Sequence, residues 1–304
     1  MKIEVPAGLA EVQQSANGEA GRAWLARLPE LAAEVLEAWE LRRDGAVRHG
    51  MAALVLPVLR ADGAPAVLKL RLVTDETEGE PVALRAWDGD GAVRLLREDD
   101  PGYGALLLER LDDHRSLADV PDDAEALRVL TGILARLVAL PAPPGMRRLT
   151  DIAHAMLDQA PELLPALPDD QRRVADACAG AVKELADEGG DRLLHWDLHY
   201  ENVLAAEREP WLAIDPNPLA GDPGFDLMPA LDNRWDDMVA TGDVTRAVLR
   251  RFDYMTEVLD LDRRRAAGWT LGRALQNTLW DLEDGEPAMS PVQRTIAEAL
   301  LPRT

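Results

Sequence analysis

A single cysteine, Cys178, stands among 304 residues, so no intrachain disulfide can form. A reducing cytoplasm is the compartment this implies. Cys178 falls on an apolar stripe with Val174, Ala177, Ala181 and Val182, the place of a small core residue. Positive charge is scarce as well. The formal net charge of −22 argues against binding to a nucleic-acid phosphate backbone, and equally to an anionic membrane surface. No apolar run approaches a membrane span, and Met1 to Pro6 lacks the charged-then-apolar order of a secretory signal. Internal repeats and low-complexity tracts are absent. What remains is a chain long and apolar enough for one two-lobed unit or two domains.

Lysine is the scarcest basic residue: only Lys2, Lys69 and Lys183 occur among 33 basic side chains, the others being arginine. Lys69 lies in Ala66-Val-Leu-Lys-Leu-Arg-Leu72, whose alternation predicts a strand. An ammonium on a flexible stem does what a flat guanidinium does not, and holding nucleotide phosphates is one such use. The competing reading is a lysine on the solvated face of an edge strand.

The densest chemistry lies in His195-Trp-Asp-Leu-His-Tyr-Glu-Asn202 and the hairpin after it. Val203 to Ala206 and Trp211 to Ile214 read as strands, with Glu207 to Pro210 as their turn. A turn centred between residues 208 and 209 would set Asn202 opposite Asp215. An amide oxygen and a carboxylate meeting there, with Asp197 on the preceding loop, suit Mg²⁺ and leave room for phosphate. The alternative is a polar loop that flanks a hairpin. His195 and His199 are four apart, but a helical zinc pair needs Glu directly after the first His, where Trp196 stands.

Along the rest of the chain, Trp24 to Arg43 has helical period, interrupted by Pro29. Leu54 to Leu72 holds two strands split by Ala61-Asp-Gly-Ala-Pro65. Asp44 to Gly50 either covers nucleotide phosphates or is a plain turn. Asp123 to Leu140 is an amphipathic helix stopped by Pro141-Ala-Pro-Pro-Gly145. Helical segments are expected near 223–239, 243–259, 262–284 and 290–301.

In this order these residues resemble the aminoglycoside phosphotransferase family of the protein-kinase-like fold, nearest its streptomycin 6-kinase and hydroxyurea kinase branch. The likeness runs from about Asp44 to Gly285. It rests on Val67-Leu-Lys-Leu70, Ala83 to Leu96, Leu106-Leu-Leu-Glu-Arg-Leu111, His195-x-Asp197 with Asn202, Ile214-Asp-Pro216 and Gly221-Asp-Pro-Gly-Phe-Asp226. The resemblance implies an α+β, two-lobed fold: a small N-terminal antiparallel-sheet lobe (1–110) binding the nucleotide and a larger, mostly helical C-terminal lobe (111–304). It implies ATP or GTP with Mg²⁺ as cofactors. Lys69 would then grip the phosphates, with Glu80 as its ion-pair partner; Glu76 and Glu78 are the alternatives. The hinge backbone at Glu109 to Leu111 would meet the base, Asn202 and Asp215 the metal, and Asp197 the acceptor hydroxyl. His195 would prop the loop through its ring, and Asp226 would buttress it. Trp196 departs from the small residue usual in the family, and its indole is expected to narrow the site or alter the loop.

Ten acidic residues stand between Asp187 and Asp226 against Arg192 and Arg208, a field that would draw a cationic substrate. Carboxylates beside indoles after residue 230 offer grips for guanidinium or ammonium groups: Asp232, Trp235 and Asp236, then Trp280 and Glu283. The expected activity is phosphoryl transfer from ATP to a hydroxyl of a small cationic antibiotic, a streptomycin-like aminocyclitol first. The alternatives are hydroxyurea, another antibiotic or an amino sugar as acceptor, or a nucleotide-binding pseudokinase module. Neither nucleic acid nor membrane is expected as a partner, and the sequence is silent on oligomeric state.

Overall fold

Alternating apolar residues and one long helix build the first part of the chain. A computed structural model describes residues 3–50, 52–99 and 104–304. The chain divides into two compact units, Met1–Asp112 with Ala206–Arg208, and Asp113–Ala205 with Glu209–Thr304.

In the first unit, α1 (Ala7–Ala38) precedes β1 (Arg42–Arg43), β2 (Arg48–His49), β3 (Ala53–Leu59) and β4 (Pro65–Arg71). Then come α2 (Glu80–Trp87), β5 (Leu95–Glu98) and β6 (Ala105–Glu109). These strands form one antiparallel sheet of order β1-β3-β4-β6-β5, with β2 also on β3. The expected hairpin is present, with Leu59 opposite Pro65. Successive strand side chains point to opposite faces. Ala66, Leu68 and Leu70 of β4 therefore join Leu25, Leu28, Leu31 and Val35 of α1 in one core. Lys69 and Arg71 fall on the other face, toward Glu80 of α2.

The helix differs from its sequence expectation. It begins at Ala7, seventeen residues before Trp24, and continues through Pro29. The break is at Gly18, whose φ of 50° and ψ of −118° are not helical. Gly21 is needed just beyond, because a Cβ there would lie 2.1 Å from the Gln13 carbonyl oxygen. Two helical stretches joined at a glycine obscure a single period, which is why the first was missed.

The second unit opens with β7 (Asp112–Ser116), α3 (Asp123–Leu137), α4 (Leu149–Leu163) and α5 (Asp169–Leu185). β8 (Arg192–Leu194), β9 (Val203–Ala205), β10 (Trp211–Ala213) and β11 (Leu219–Gly221) follow, then α6 (Met228–Leu231), α7 (Trp235–Ala240), α8 (Val244–Val258), α9 (Arg263–Glu283) and α10 (Pro291–Leu300). Asp122 caps α3 by accepting from the N–H groups of Ala124 and Glu125. The segment expected as one helix near 223–239 is three short pieces, a 3₁₀ turn over Pro223–Leu227, α6 and α7. Arg234, at φ 50°, separates the last two. α9 is buried from Ala266 to Gln276, the polar side chains of Thr270, Arg273 and Gln276 included, as suits a central helix. Two small sheets, β10-β9-β7 and β11-β8, complete this unit. Among the described residues no helix is long and apolar enough to cross a membrane.

Candidate active site

In the first unit Lys69 is 7 % exposed and Glu80 2 %. Charged groups so deeply buried persist only when paired. Lys69 Nζ lies 2.7 Å from Glu80 Oε1, so Glu80, with Pro81 in its first helical turn, is the partner rather than Glu76 or Glu78. Arg71, two residues along the same face, sets its Nε 3.2 Å from Glu80 Oε2. Burial lowers the Arg71 pKa, and Glu80 opposes that shift. One carboxylate thus pairs with two buried cations, and Glu98 and Glu78 add to the field at Arg71. The strand alternation that singled out Lys69 also marks Arg71, which the sequence reading passed over.

Glu109 of β6 is occupied by the protein itself. Its N–H donates to Arg94 O at 3.0 Å, and its carboxylate accepts from Arg208 Nε at 2.8 and 3.1 Å. Arg208 also donates to the carbonyls of Gly89 and Ala92, each at 2.7 Å. Leu111, two residues on, is half-buried.

In the second unit the catalytic-type loop leaves β8 at Leu194. Asp226, on the 3₁₀ turn after β11, accepts from the N–H groups of His195 (2.8 Å) and Trp196 (2.7 Å). Those bonds hold Trp196 at φ 68°, a region that a bulky side chain adopts only when its surroundings impose it. Burial pushes the Asp226 carboxyl up to about 7, against the pull of the two N–H donors. Gly224 lets this turn sit close, since a Cβ there would lie 2.7 Å from Ala266 Cα on α9. His195 aims Nε2 at Ile214 O, 3.0 Å away, and its own carbonyl accepts from Asn217 N at 3.1 Å. The loop is therefore fixed from both sides.

Trp196 does not narrow the cavity beside Asp197, for it is not among the residues lining it. The indole is buried against Phe225 and the more exposed Trp280, at centroid distances of 6.4 and 6.0 Å. Two guanidiniums stack on it, Arg147 at 4.6 Å and Arg273 at 5.1 Å. The bulky residue serves as a packing platform for cations.

Asp197 follows, half-buried. Asn202 Nδ2 donates to Asp197 O at 2.8 Å and reaches Asp197 Oδ2 at 3.4 Å. His199 Nε2 lies 3.9 Å from that same Oδ2, and its Nδ1 3.2 Å from Glu201. The hairpin register differs from the expected one. Ala213 pairs with Val203, so Ile214 stands opposite Asn202, donating its N–H to Asn202 O at 2.9 Å. The loop holds five residues rather than four, and Asp215 lies one position past the pairing, at φ 55°. Both residues still flank the open end of the ribbon. With its Nδ2 committed to Asp197, Asn202 has Oδ1 to offer, and Asp215 adds a carboxylate. Two hard oxygen donors could hold a divalent ion that completes its shell with water and phosphate. Among the described residues no group of three or more His, Cys, Asp or Glu could hold a metal by itself.

A cavity of about 380 Å³ opens beside Asp197, with His199, Glu201, Asp232, Asn233, Arg273 and Asn277 in its wall. Burial raises the Asp232 carboxyl to about 6, against the pull of His199 and Arg273. Of the five acceptor-site expectations, Asp232 lines this cavity. Trp280 packs on Trp196 and on the Arg273 guanidinium (5.5 Å), and Glu283 accepts from Gln159 at 3.1 Å. Trp235 is half-buried and Asp236 exposed, neither of them in the wall. The missed residues carried a signal: Arg273 and Asn277 are four apart on α9, on the helical face that also bears the expected Trp280.

Residues 38–285 match the profile of the aminoglycoside/hydroxyurea antibiotic resistance kinase family. The chain is 60 % identical over 299 residues to a streptomycin 6-kinase of Streptomyces glaucescens, covering 98 % of this chain and 97 % of that one. It is 53 % identical over 304 residues to a hydroxyurea phosphotransferase of Kitasatospora aureofaciens, covering 99 % and 87 %. Among solved structures it resembles a thermostable mutant aminoglycoside phosphotransferase in ternary complex with ADP and hygromycin B. There the TM-score is 0.59 at 14 % identity, over 89 % of this chain and 97 % of that one. That likeness shows the fold, a protein-kinase-like one with an antiparallel-sheet lobe and a mostly helical lobe.

Proposed function

This chain belongs to the aminoglycoside/hydroxyurea antibiotic resistance kinase family, a family of small-molecule phosphotransferases, and from that premise we propose that it transfers the γ-phosphoryl group of ATP to a hydroxyl of streptomycin. The observation that carries the proposal is the Asp197–Asn202 pair at the mouth of a cavity walled by carboxylates, in a chain so similar to a streptomycin 6-kinase.

In this reading the acceptor hydroxyl oxygen attacks the γ-phosphorus, its proton passes to Asp197, and the bond to the β-phosphate oxygen breaks. Catalysis of this kind is mostly positioning and neutralisation of charge. Lys69, steadied by Glu80, grips the phosphates. The hinge backbone meets the base, with Leu111 the better candidate because Glu109 has its N–H and carboxylate engaged. Asn202 and Asp215 would hold Mg²⁺, which would supply neutralisation of phosphate charge. His199 and Arg273 face the acceptor beside Asp232, whose carboxylate pairs with a guanidinium of the substrate. Trp235, Asp236, Trp280 and Glu283 would act only at the margin. A cytoplasmic setting suits Cys178, a buried thiol pushed up to about 12 by burial and so inert to oxidation.

Hydroxyurea is the second reading, favoured by the 53 % identity to a hydroxyurea phosphotransferase. Steady-state turnover with each acceptor separates the two. Asp197→Ala is expected to lower turnover with streptomycin at least about a hundredfold. Near-normal turnover in that variant would remove Asp197 from its role.

A further inference from the structure

We propose that Arg251 of α8 is a positioning residue for the acceptor, fixing the Asp232–Arg234 corner to the catalytic loop through Asp123 and Tyr200. The proposal rests on the function given above. Arg251 is 4 % exposed and lines no part of the acceptor cavity, so it acts through its neighbours. A buried guanidinium is costly unless its donors are met. Here Nη2 reaches both carboxylate oxygens of Asp123 at 2.9 Å. Nη1 donates to the carbonyls of Asn233, Ala230 (3.3 Å) and Leu231 (3.4 Å), the last two ending α6.

The bonds close a ring. Asp123 Oδ1 also accepts from Tyr200 OH at 3.1 Å. Burial and the Asp123 carboxylate push the Tyr200 phenol up, so the hydroxyl stays a donor. Tyr200 N donates to Asn233 Oδ1 at 3.1 Å, and Asn233 Nδ2 to Pro229 O at 2.7 Å. Tyr200 lies between Asp197 and Asn202, whereas Asp232, Asn233 and Arg234 stand in the cavity wall. One side chain thus ties the corner that faces the acceptor to the loop that carries the proposed base. The corner holds Arg234 at φ 50° beside the single turn of α6, and relies on side-chain bonds: those of Arg251, and those of Arg234 to the carbonyls of Ala118, Val120 and Pro121. A lysine would keep the charge and lose the fork that reaches a carboxylate and three carbonyls together.

The test uses the full chain with Arg251→Lys and, as a milder change, Tyr200→Phe. Amide hydrogen exchange in Arg251→Lys should quicken about tenfold or more at 197–202 and 228–236 and stay unchanged in α9. KM for streptomycin should rise about tenfold, with KM for ATP within about twofold. Tyr200→Phe should raise the streptomycin KM by a smaller factor and add little to Arg251→Lys, as members of one network do. Unchanged exchange in those two segments would overturn the proposal, as would losses for ATP and acceptor in equal measure. Exchange needs no acceptor, so failure of the wild-type protein to phosphorylate streptomycin would strike the proposed function and leave Arg251 to be judged by exchange.

Discussion

At the scale of single residues, Asp226 and Asp232 are two carboxyls raised by burial for different ends. Asp226 accepts two backbone N–H groups and shapes the loop, whereas Asp232 opens on the acceptor cavity. Asp232 titrates near 6, facing His199, Arg273, Asp197 and Arg251. Raising the pH through about 6 charges it, so KM for a cationic acceptor should fall between pH 5 and pH 8. Asp232→Asn should flatten that KM profile while leaving a pH dependence in kcat. A profile for Asp232→Asn that parallels wild type would separate Asp232 from the acceptor. The sequence marked Asp232 because it stood beside an indole. It could not mark Arg251, since a basic residue on an amphipathic helix reads as solvent-facing until the fold buries it. Trp196 is the same lesson reversed: a large residue inside a catalytic motif suggests obstruction, and only the stacked guanidiniums of Arg147 and Arg273 explain it.

At the scale of elements, β4 and α2 meet through one shared carboxylate. Lys69→Met leaves Glu80 to Arg71, whereas Glu80→Gln leaves two buried cations without the carboxylate they share. Glu80→Gln should therefore destabilise by about 3–5 kcal/mol and Lys69→Met by clearly less, as urea denaturation can measure. Equal losses would show that Arg71 does not share the load. Strand alternation made β3 and β4 readable from sequence as a hairpin, though not in register: Pro65, read as part of the turn, opens β4 opposite Leu59. The β9–β10 hairpin was readable as a hairpin but not in register. Apolar runs fix which residues are strands, while loop length fixes which residues face each other, and five residues span a gap that four also could. The start of α1 was hidden by Gly18, and the break expected at Pro29 did not occur. Proline removes one hydrogen bond, which a long helix packed along one face tolerates.

At the scale of the whole molecule, a net charge of −22 is a field and not a fold. Salt screens such a field over about 8–10 Å. Raising ionic strength should increase KM for streptomycin severalfold and leave KM for uncharged hydroxyurea nearly unchanged. The same salt response for both acceptors would confine recognition to short-range contacts. The family was readable because its motifs keep their order along the chain. The acceptor cavity was only partly so, since its wall combines α9, the loop after β8 and the corner after α6, which meet only on folding. The central claim is that Asp197 takes the proton of a streptomycin hydroxyl as ATP's γ-phosphoryl group passes to that oxygen. Mass spectrometry of streptomycin incubated with the protein, ATP and Mg²⁺ tests it most directly. One added phosphoryl group with wild type, and almost none with Asp197→Ala, is the expected result. Unmodified streptomycin beside folded wild-type protein would contradict it.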